Sequence, residues 1–292
     1  MTADTLDTRM LETDGATIVY DVQGPLPPAD GRPVLLMVGQ PMDASGFRPL
    51  AAHFSDRTVV TYDPRGFGRS TRSDGEVTNS PTVQAEDLHA LIRDLGAGAV
   101  EVFASSGGAV SALALVTAYP GDVAVLVAHE PPLLHTLPDA EAAQRATQAT
   151  QETYQAKGWG AGMASFLAMT MWRGEFTDEY FAQPTPDPAQ FGLPTEDDGS
   201  RDDPLMTGHS ASIAEYRLDV EALKAAPTRV VLGVGEESRD TFTGRTAIGT
   251  AELLGQEAVV FPSHHGGFAG EETGYPGRPR EFAERLREVL DG

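Results

Sequence analysis

Short, unbroken apolar runs, spaced by helical patterns, limit this chain more than any other feature. Residues 33–39 (P-V-L-L-M-V-G), 58–62 (T-V-V-T-Y), 99–104 (A-V-E-V-F-A), 123–128 (V-A-V-L-V-A), 229–234 (R-V-V-L-G-V) and 257–261 (E-A-V-V-F) are too short and too β-branched for buried helices. Such runs suit strands covered on both faces, which is the condition of a parallel sheet. Helical patterns at 82–95, 107–119, 243–254 and 278–290 supply the crossovers, so the chain predicts an α/β fold with helices on both sides of a mostly parallel sheet. Residues 16–22 (A-T-I-V-Y-D-V) follow the Asp14-Gly15 turn signal and are expected to pair with the strand before them. The rhythm stops over residues 132–226, which carry helical stretches at 139–157 and 160–172 and a Pro/Asp/Gly-rich segment from Gln183 to Pro204. The sheet is completed only afterwards. We therefore expect one core, residues 1–131 and 227–292, with residues 132–226 inserted as a helical cap.

Composition narrows the function. The chain has 43 acids against 21 Lys and Arg, a formal charge of −22, so nucleic acid and anionic membranes are not expected partners. It has no cysteine, which removes thiol catalysis, disulfides and thiolate metal sites. The first residues are polar and acidic where a secretory signal is basic and then apolar, and no apolar run approaches a membrane span. A cytoplasmic protein is the expectation.

One segment carries chemistry. Residues 103–108, F-A-S-S-G-G, lie between a predicted strand and a predicted helix. This is the context of the nucleophile elbow G-x-S-x-G, with Ala104 in place of the first glycine. Small residues are needed there because the turn is tight, and the helix N-terminus favours negative charge at Ser106. The plainer alternative is a serine that merely caps the helix. A serine nucleophile needs a base, and in this fold order the histidine follows the last strand. Residues 261–268, F-P-S-H-H-G-G-F, stand there, with His265 the candidate and His264 the spare. His53, His89, His135 and His209 fall in helical or cap patterns and read as structural.

The orienting carboxylate has two possible positions. After the strand at 229–234 the sequence is G-E-E-S-R-D, with Ser238 where aspartate is common; Glu236, Glu237 and Asp240 are close by. After the strand at 123–128 stands Glu130, in V-A-H-E-P-P. Because Ser238 cannot supply a charge, Glu130 is favoured and Glu237 is next. For the oxyanion, the expected donors are the backbone N–H groups of Gly107 and of Gln40, in the loop after the strand at 33–39.

These segments, with T-Y-D-P-R-G-F-G-R-S at 61–70, make the chain resemble the α/β-hydrolase superfamily over nearly its whole length. Val38 precedes Gly39 where that superfamily often has histidine. The doubled serine at the elbow and the His-Glu-Pro run are similar to those of the macrolactone-cleaving zearalenone lactonases. The resemblance implies Ser106, Glu130 and His265 as a triad, Gln40 and Gly107 at the oxyanion hole, no cofactor or metal, and a small apolar ester or lactone as substrate.

Other motifs do not hold. G-V-G-E-E-S at 233–238 and R-G-F-G-R-S-T at 65–71 lack the third glycine of a dinucleotide site, no phosphate-binding G-x-x-x-x-G-K occurs, and His129-Glu130 has no histidine at Leu133 to complete a zinc motif. Trp159, Phe166, Trp172 and Phe181 could line a substrate cavity, but packing against the core is the commoner use of such residues. The expected activity is that of an esterase or lactonase. The competing readings are a non-catalytic ligand-binding protein on the same scaffold, or a lyase or perhydrolase reusing the triad.

Overall fold

The computed structural model describes residues 6–273 and 275–292. Its strands are β1 (Asp7–Thr13), β2 (Ala16–Gln23), β3 (Leu35–Val38), β4 (Val59–Tyr62), β5 (Thr71–Arg72), β6 (Val100–Ser105), β7 (Val123–His129), β8 (Arg229–Gly235) and β9 (Val259–Phe261). They form one sheet in the order β1-β2-β4-β3-β6-β7-β8-β9, with β5 beside β2. From β4 through β9 neighbouring strands are parallel; the β1–β2 hairpin turns at Asp14-Gly15 and adds an antiparallel edge. The expected α/β-hydrolase fold is the fold observed.

The longer helices are α2 (Pro81–Leu95), α3 (Gly107–Ala118), α4 (Ala140–Lys157), α5 (Trp159–Met171), α9 (Phe242–Leu254) and α10 (Pro279–Asp291). Four short ones, α1 (Arg48–Ala51), α6 (Asp178–Phe181), α7 (Ala211–Ala214) and α8 (Val220–Ala225), have no periodic signal in the sequence because one turn shows no period. Proline sits in the first turn of α2 and α10, where its missing N–H costs nothing.

The alternation of a strand distributes its side chains between two cores. Leu36, Val38, Val102, Leu126 and Leu232 face α2 and α3, against Leu88, Leu91 and Leu113. Leu35, Met37, Phe103, Val127 and Val231 face the opposite side, where Leu50 of α1 and Phe282, Leu286 and Val289 of α10 close over them. Helix α3 is apolar all round and almost wholly buried, as a helix between a sheet and other helices must be. Between β7 and β8 the chain is helical, with its own small core of Leu134, Leu137, Ala143, Ala146, Met169 and Phe176. Phe166 and Trp172 pack against that core. Among the described residues, no helix is long and apolar enough to cross a membrane.

Central strands carry the burial that holds the sheet, at roughly 1.5–3 kcal/mol for each large apolar side chain. Replacing fully buried Leu126 by Ala should therefore lower stability by roughly 2–5 kcal/mol in urea unfolding. A loss under about 1 kcal/mol would show that β7 is not part of the cooperative core.

Candidate active site

Strand β6 ends at Ser105 and α3 begins at Gly107, leaving Ser106 alone in the turn at φ 56°, ψ −129°. A non-glycine residue there stores about 1–3 kcal/mol of strain, sustained only by the packed strand and helix on either side. The Ser106 N–H donates to the His129 carbonyl at 2.9 Å, which pins the turn to the end of β7. The Ser106 side chain makes no capping hydrogen bond to α3, so it is not held as a simple helix cap. Gly107 lies against the loop after β3: a Cβ on it would stand 3.0 Å from the Gln40 carbonyl oxygen. The two residues expected to provide oxyanion donors are thus neighbours.

That loop is fixed by the segment 61–70. Asp63 accepts from the Ala44 N–H at 3.0 Å and from the Arg69 N–H and Nε at 2.7 Å each. Arg69 in turn donates to both Asp21 oxygens, at 2.9 and 2.8 Å. Nearby, Arg65 donates to both Asp87 oxygens, at 2.8 and 2.7 Å. The recurring Arg and Asp of the motif therefore position the loop bearing Gln40.

Glu130 and His265 meet. Nδ1 of His265 lies 2.7 Å from Glu130 Oε2, which leaves the other ring nitrogen for a second partner. No hydrogen bond joins Ser106 to His265 among the described residues; such bonds are often long before substrate binds. His264 does different work: it is buried, stacks on Tyr275 at 4.0 Å and shapes the loop through the Gly266 N–H at 3.1 Å. Glu237 does not reach this histidine pair. It is half exposed and bridges to Arg278 at 3.0 Å, which also pairs with Glu236.

The profile of the alpha/beta hydrolase family matches residues 34–285. This chain belongs to that family. It is 31% identical over 300 residues to the uncharacterized hydrolase YraK of Bacillus subtilis (strain 168), across 98% of this chain and 97% of that one. Solved structures with the same fold include a thermophilic esterase from Thermogutta terrifontis, with TM-score 0.62, 21% identity and 98% of each chain covered. A bromoperoxidase from Bacillus anthracis has TM-score 0.65 and 19% identity, covering 98% of this chain and all of that one. At those identities the two structures speak for the fold alone.

In this hydrolase, Glu130 is the most constrained charge in the site. It is 0% exposed and its backbone has φ 48°, a left-handed turn that carries the side chain back under the mouth of the sheet. Oε1 accepts from the Gly235 N–H at 2.8 Å and from the Ser238 hydroxyl; Oε2 accepts from Thr243 Oγ1 at 2.6 Å and from His265. Burial alone would favour the neutral acid. The hydrogen bond and charge of His265, with Ser238 behind it, overcome this and hold the carboxyl well below the ordinary range. Gly235 permits the close approach, since a Cβ there would collide with Ser238 Oγ and the Ser263 carbonyl at 2.7 and 2.8 Å.

Thr243 belongs to no motif, and Ser238 enters the sequence analysis only as the occupant of an aspartate slot, not as a partner of Glu130. The available signal was the position of Ser238: a hydroxyl in the slot common for aspartate is placed to serve an acid arriving from elsewhere. His129 was likewise rejected as a metal ligand and given no other use. Among the described residues no group of three or more His, Asp or Glu could hold a metal ion.

Burial pushes His129 down to about 4, although the Glu130 charge works the other way. In the unfolded chain the imidazole returns to about 6.5. The folded value is the lower one, so its contribution is intact above about 6.5 and drains away as pH falls toward 4. Relative to a His129→Phe variant, the wild type should lose about 2 kcal/mol between pH 7 and pH 5 in urea unfolding. An unchanged difference between the two proteins would mean that His129 is not held neutral.

Proposed function

We propose that this alpha/beta hydrolase cleaves carboxylic esters, lactones among them, through an acyl-enzyme on Ser106. The observation that carries the reading is the 2.7 Å contact between a buried, ionised Glu130 and His265 Nδ1, beside a serine on a strained strand-to-helix turn. With Nδ1–H given to Glu130, Nε2 is the free base. It takes the Ser106 proton as Oγ attacks the carbonyl carbon, and the imidazolium is stabilised by the carboxylate. The tetrahedral oxyanion receives the backbone N–H groups of Gln40 and Gly107, and the positive end of α3 adds to their effect. Collapse breaks the bond to the alcohol oxygen, which leaves with the proton from His265. Water then attacks the acyl carbonyl as His265 takes its proton; collapse breaks the bond to Ser106 Oγ, His265 returns the proton to that oxygen, and the acid is released.

Residues 132–226 act in this reading as the cap that selects the substrate. The doubled serine and the His129-Glu130-Pro131 run resemble those of zearalenone lactonases, and on that resemblance a macrolactone is the first substrate class to examine. A binding protein would have no use for an ionised acid held against a histidine beside a strained serine, and this favours catalysis.

Two measurements test the reading. Wild-type protein should be labelled by a fluorophosphonate and should hydrolyse p-nitrophenyl esters or a macrolactone. Ser106→Ala should lose the label and on the order of 10⁴–10⁶ in kcat while remaining folded. A Ser106→Ala protein that turns over at the wild-type rate ends the proposal.

The acid is tested separately. Glu130→Gln should lower kcat by about 10²–10⁴, whereas Glu237→Gln, which removes only a surface ion pair, should change it by less than about tenfold. Circular dichroism must first show both variants folded. The reverse ranking would move the acid to Glu237.

A further inference from the structure

The mechanism leaves His129 without a role, and its surroundings do not suit an idle histidine. The side chain is completely buried. Phe103, Phe261, Phe268 and Phe282 enclose the ring, with centroids at 6.1, 5.8, 6.2 and 5.4 Å. A phenylalanine would fill such a box without the cost of burying a polar ring. Yet Nδ1 lies 3.2 Å from Ser105 Oγ, and Nε2 has no hydrogen-bond partner among the described residues. That unpartnered nitrogen stands 3.9 Å from Glu130 Oε1, and the ring stacks 6.1 Å from the ring of His265, with 22° between their planes.

We infer that His129 is a positioning residue for the Glu130–His265 couple, locked by Ser105 in the tautomer that turns Nε2–H toward the carboxylate. The inference rests on the reading of Ser106, Glu130 and His265 as a triad. Its logic is electrostatic. A lone pair on Nε2 aimed at a carboxylate would be repelled, so the proton belongs on Nε2 and Nδ1 is the acceptor. Ser105 Oγ–H supplies the matching donor. At 3.9 Å the Nε2–H is too far to form a hydrogen bond with Oε1, which already takes the Gly235 and Ser238 donors. In a dry aromatic box, however, a charge and a dipole at that distance are little screened. The contact supports negative charge on Glu130 without drawing Oε2 away from His265. The backbone of the same residue accepts the Ser106 N–H. One side chain and its carbonyl thus tie the nucleophile turn to the acid turn.

The test compares His129→Phe, His129→Gln and Ser105→Ala in the full chain by two readouts. One is the rate of Ser106 labelling by a fluorophosphonate. The other is the downfield proton resonance of the His265 Nδ1–H shared with Glu130, which requires no substrate. His129→Phe should remain folded, with a melting temperature no lower than wild type, and should label roughly 10- to 100-fold more slowly, the usual scale when a group behind a functional ligand is lost. His129→Gln, whose amide can present an N–H near the Nε2 position, should recover most of the rate. The resonance should move in His129→Phe and in Ser105→Ala. A packing role predicts the opposite: wild-type labelling in His129→Phe, or a Gln variant no faster than Phe, overturns the inference. If His129→Phe does not fold, Ser105→Ala decides by the resonance alone, and an unmoved resonance overturns it. Failure of wild-type protein to label would instead count against the esterase reading, with the resonance still reporting on His129.

Discussion

A carboxylate wholly removed from water, with no arginine or lysine against it among the described residues, is the constraint around which the C-terminal end of this parallel sheet is arranged. Burying a lone charge costs several kcal/mol unless donors replace its hydration. Glu130 obtains four, each from a different piece of chain: the end of β8, the turn after it, the first turn of α9 and the loop after β9. None of these pieces is near Glu130 in sequence. The charge can be kept only when β7, β8 and β9 are in register, so the final strands and the histidine loop are held to the acid by the same bonds that keep it ionised.

The other buried carboxylates of the core are handled differently, and the contrast assigns them to another task. Asp63 and Asp21 share Arg69, while Asp87 takes the fork of Arg65. Fork-shaped guanidinium groups satisfy these acids directly and leave them no oxygen for chemistry. Asp63 also takes the Ala44 N–H and so fastens the segment after β3 to the end of β4. Glu130 is held instead by neutral donors and one histidine, so its charge is coupled directly to that of the His265 imidazole. Arginine-paired acids build the frame, and the donor-held acid meets the histidine.

How much of this was legible follows from the range of each signal. Strand and helix periods are local, so β3, β4, β6, β7, β8 and the six long helices stand where the patterns at 33–39, 58–62, 99–104, 123–128, 229–234 and their partners placed them. The elbow is also local: a strand, four small residues and a helix. The preference for Glu130 over Glu237 rested on charge and chain position, and the structure puts Glu130, not Glu237, against His265. What sequence could not show depends on register. Ser238 and Thr243 become partners of Glu130 only because the Glu130 N–H binds the Gly233 carbonyl at 3.1 Å and seats β7 beside β8. His129 faces Ser105 through the pairing of β6 with β7, which no single segment encodes. The short helices α6, α7 and α8 were illegible for the simpler reason that one turn has no period.

Several aromatic side chains between β7 and β8 are engaged within that segment. Trp172, Phe176 and Tyr180 pack on one another, and Trp159 is tied by its Nε1–H to Asp203 at 2.9 Å. Ile213 of α7 approaches the start of α3, its Cδ1 3.4 Å from where a Cβ on Gly107 would stand, and Arg173 donates to the Glu237 carbonyl at 3.1 Å. Helix α7 is set there by Asn79, just before α2: the Asn79 N–H donates to the His209 carbonyl at 2.8 Å, Asn79 Nδ2 to Ser210 Oγ at 3.2 Å, and Ser212 Oγ to the Asn79 carbonyl at 2.7 Å. On the opposite side Arg245 of α9 binds Asp139 and the Gly174 carbonyl, the latter at 2.7 Å. The bonds of Asn79 and Arg245 therefore fix residues 132–226 at two places, one before α2 and one on α9, and neither takes a donor from Glu130.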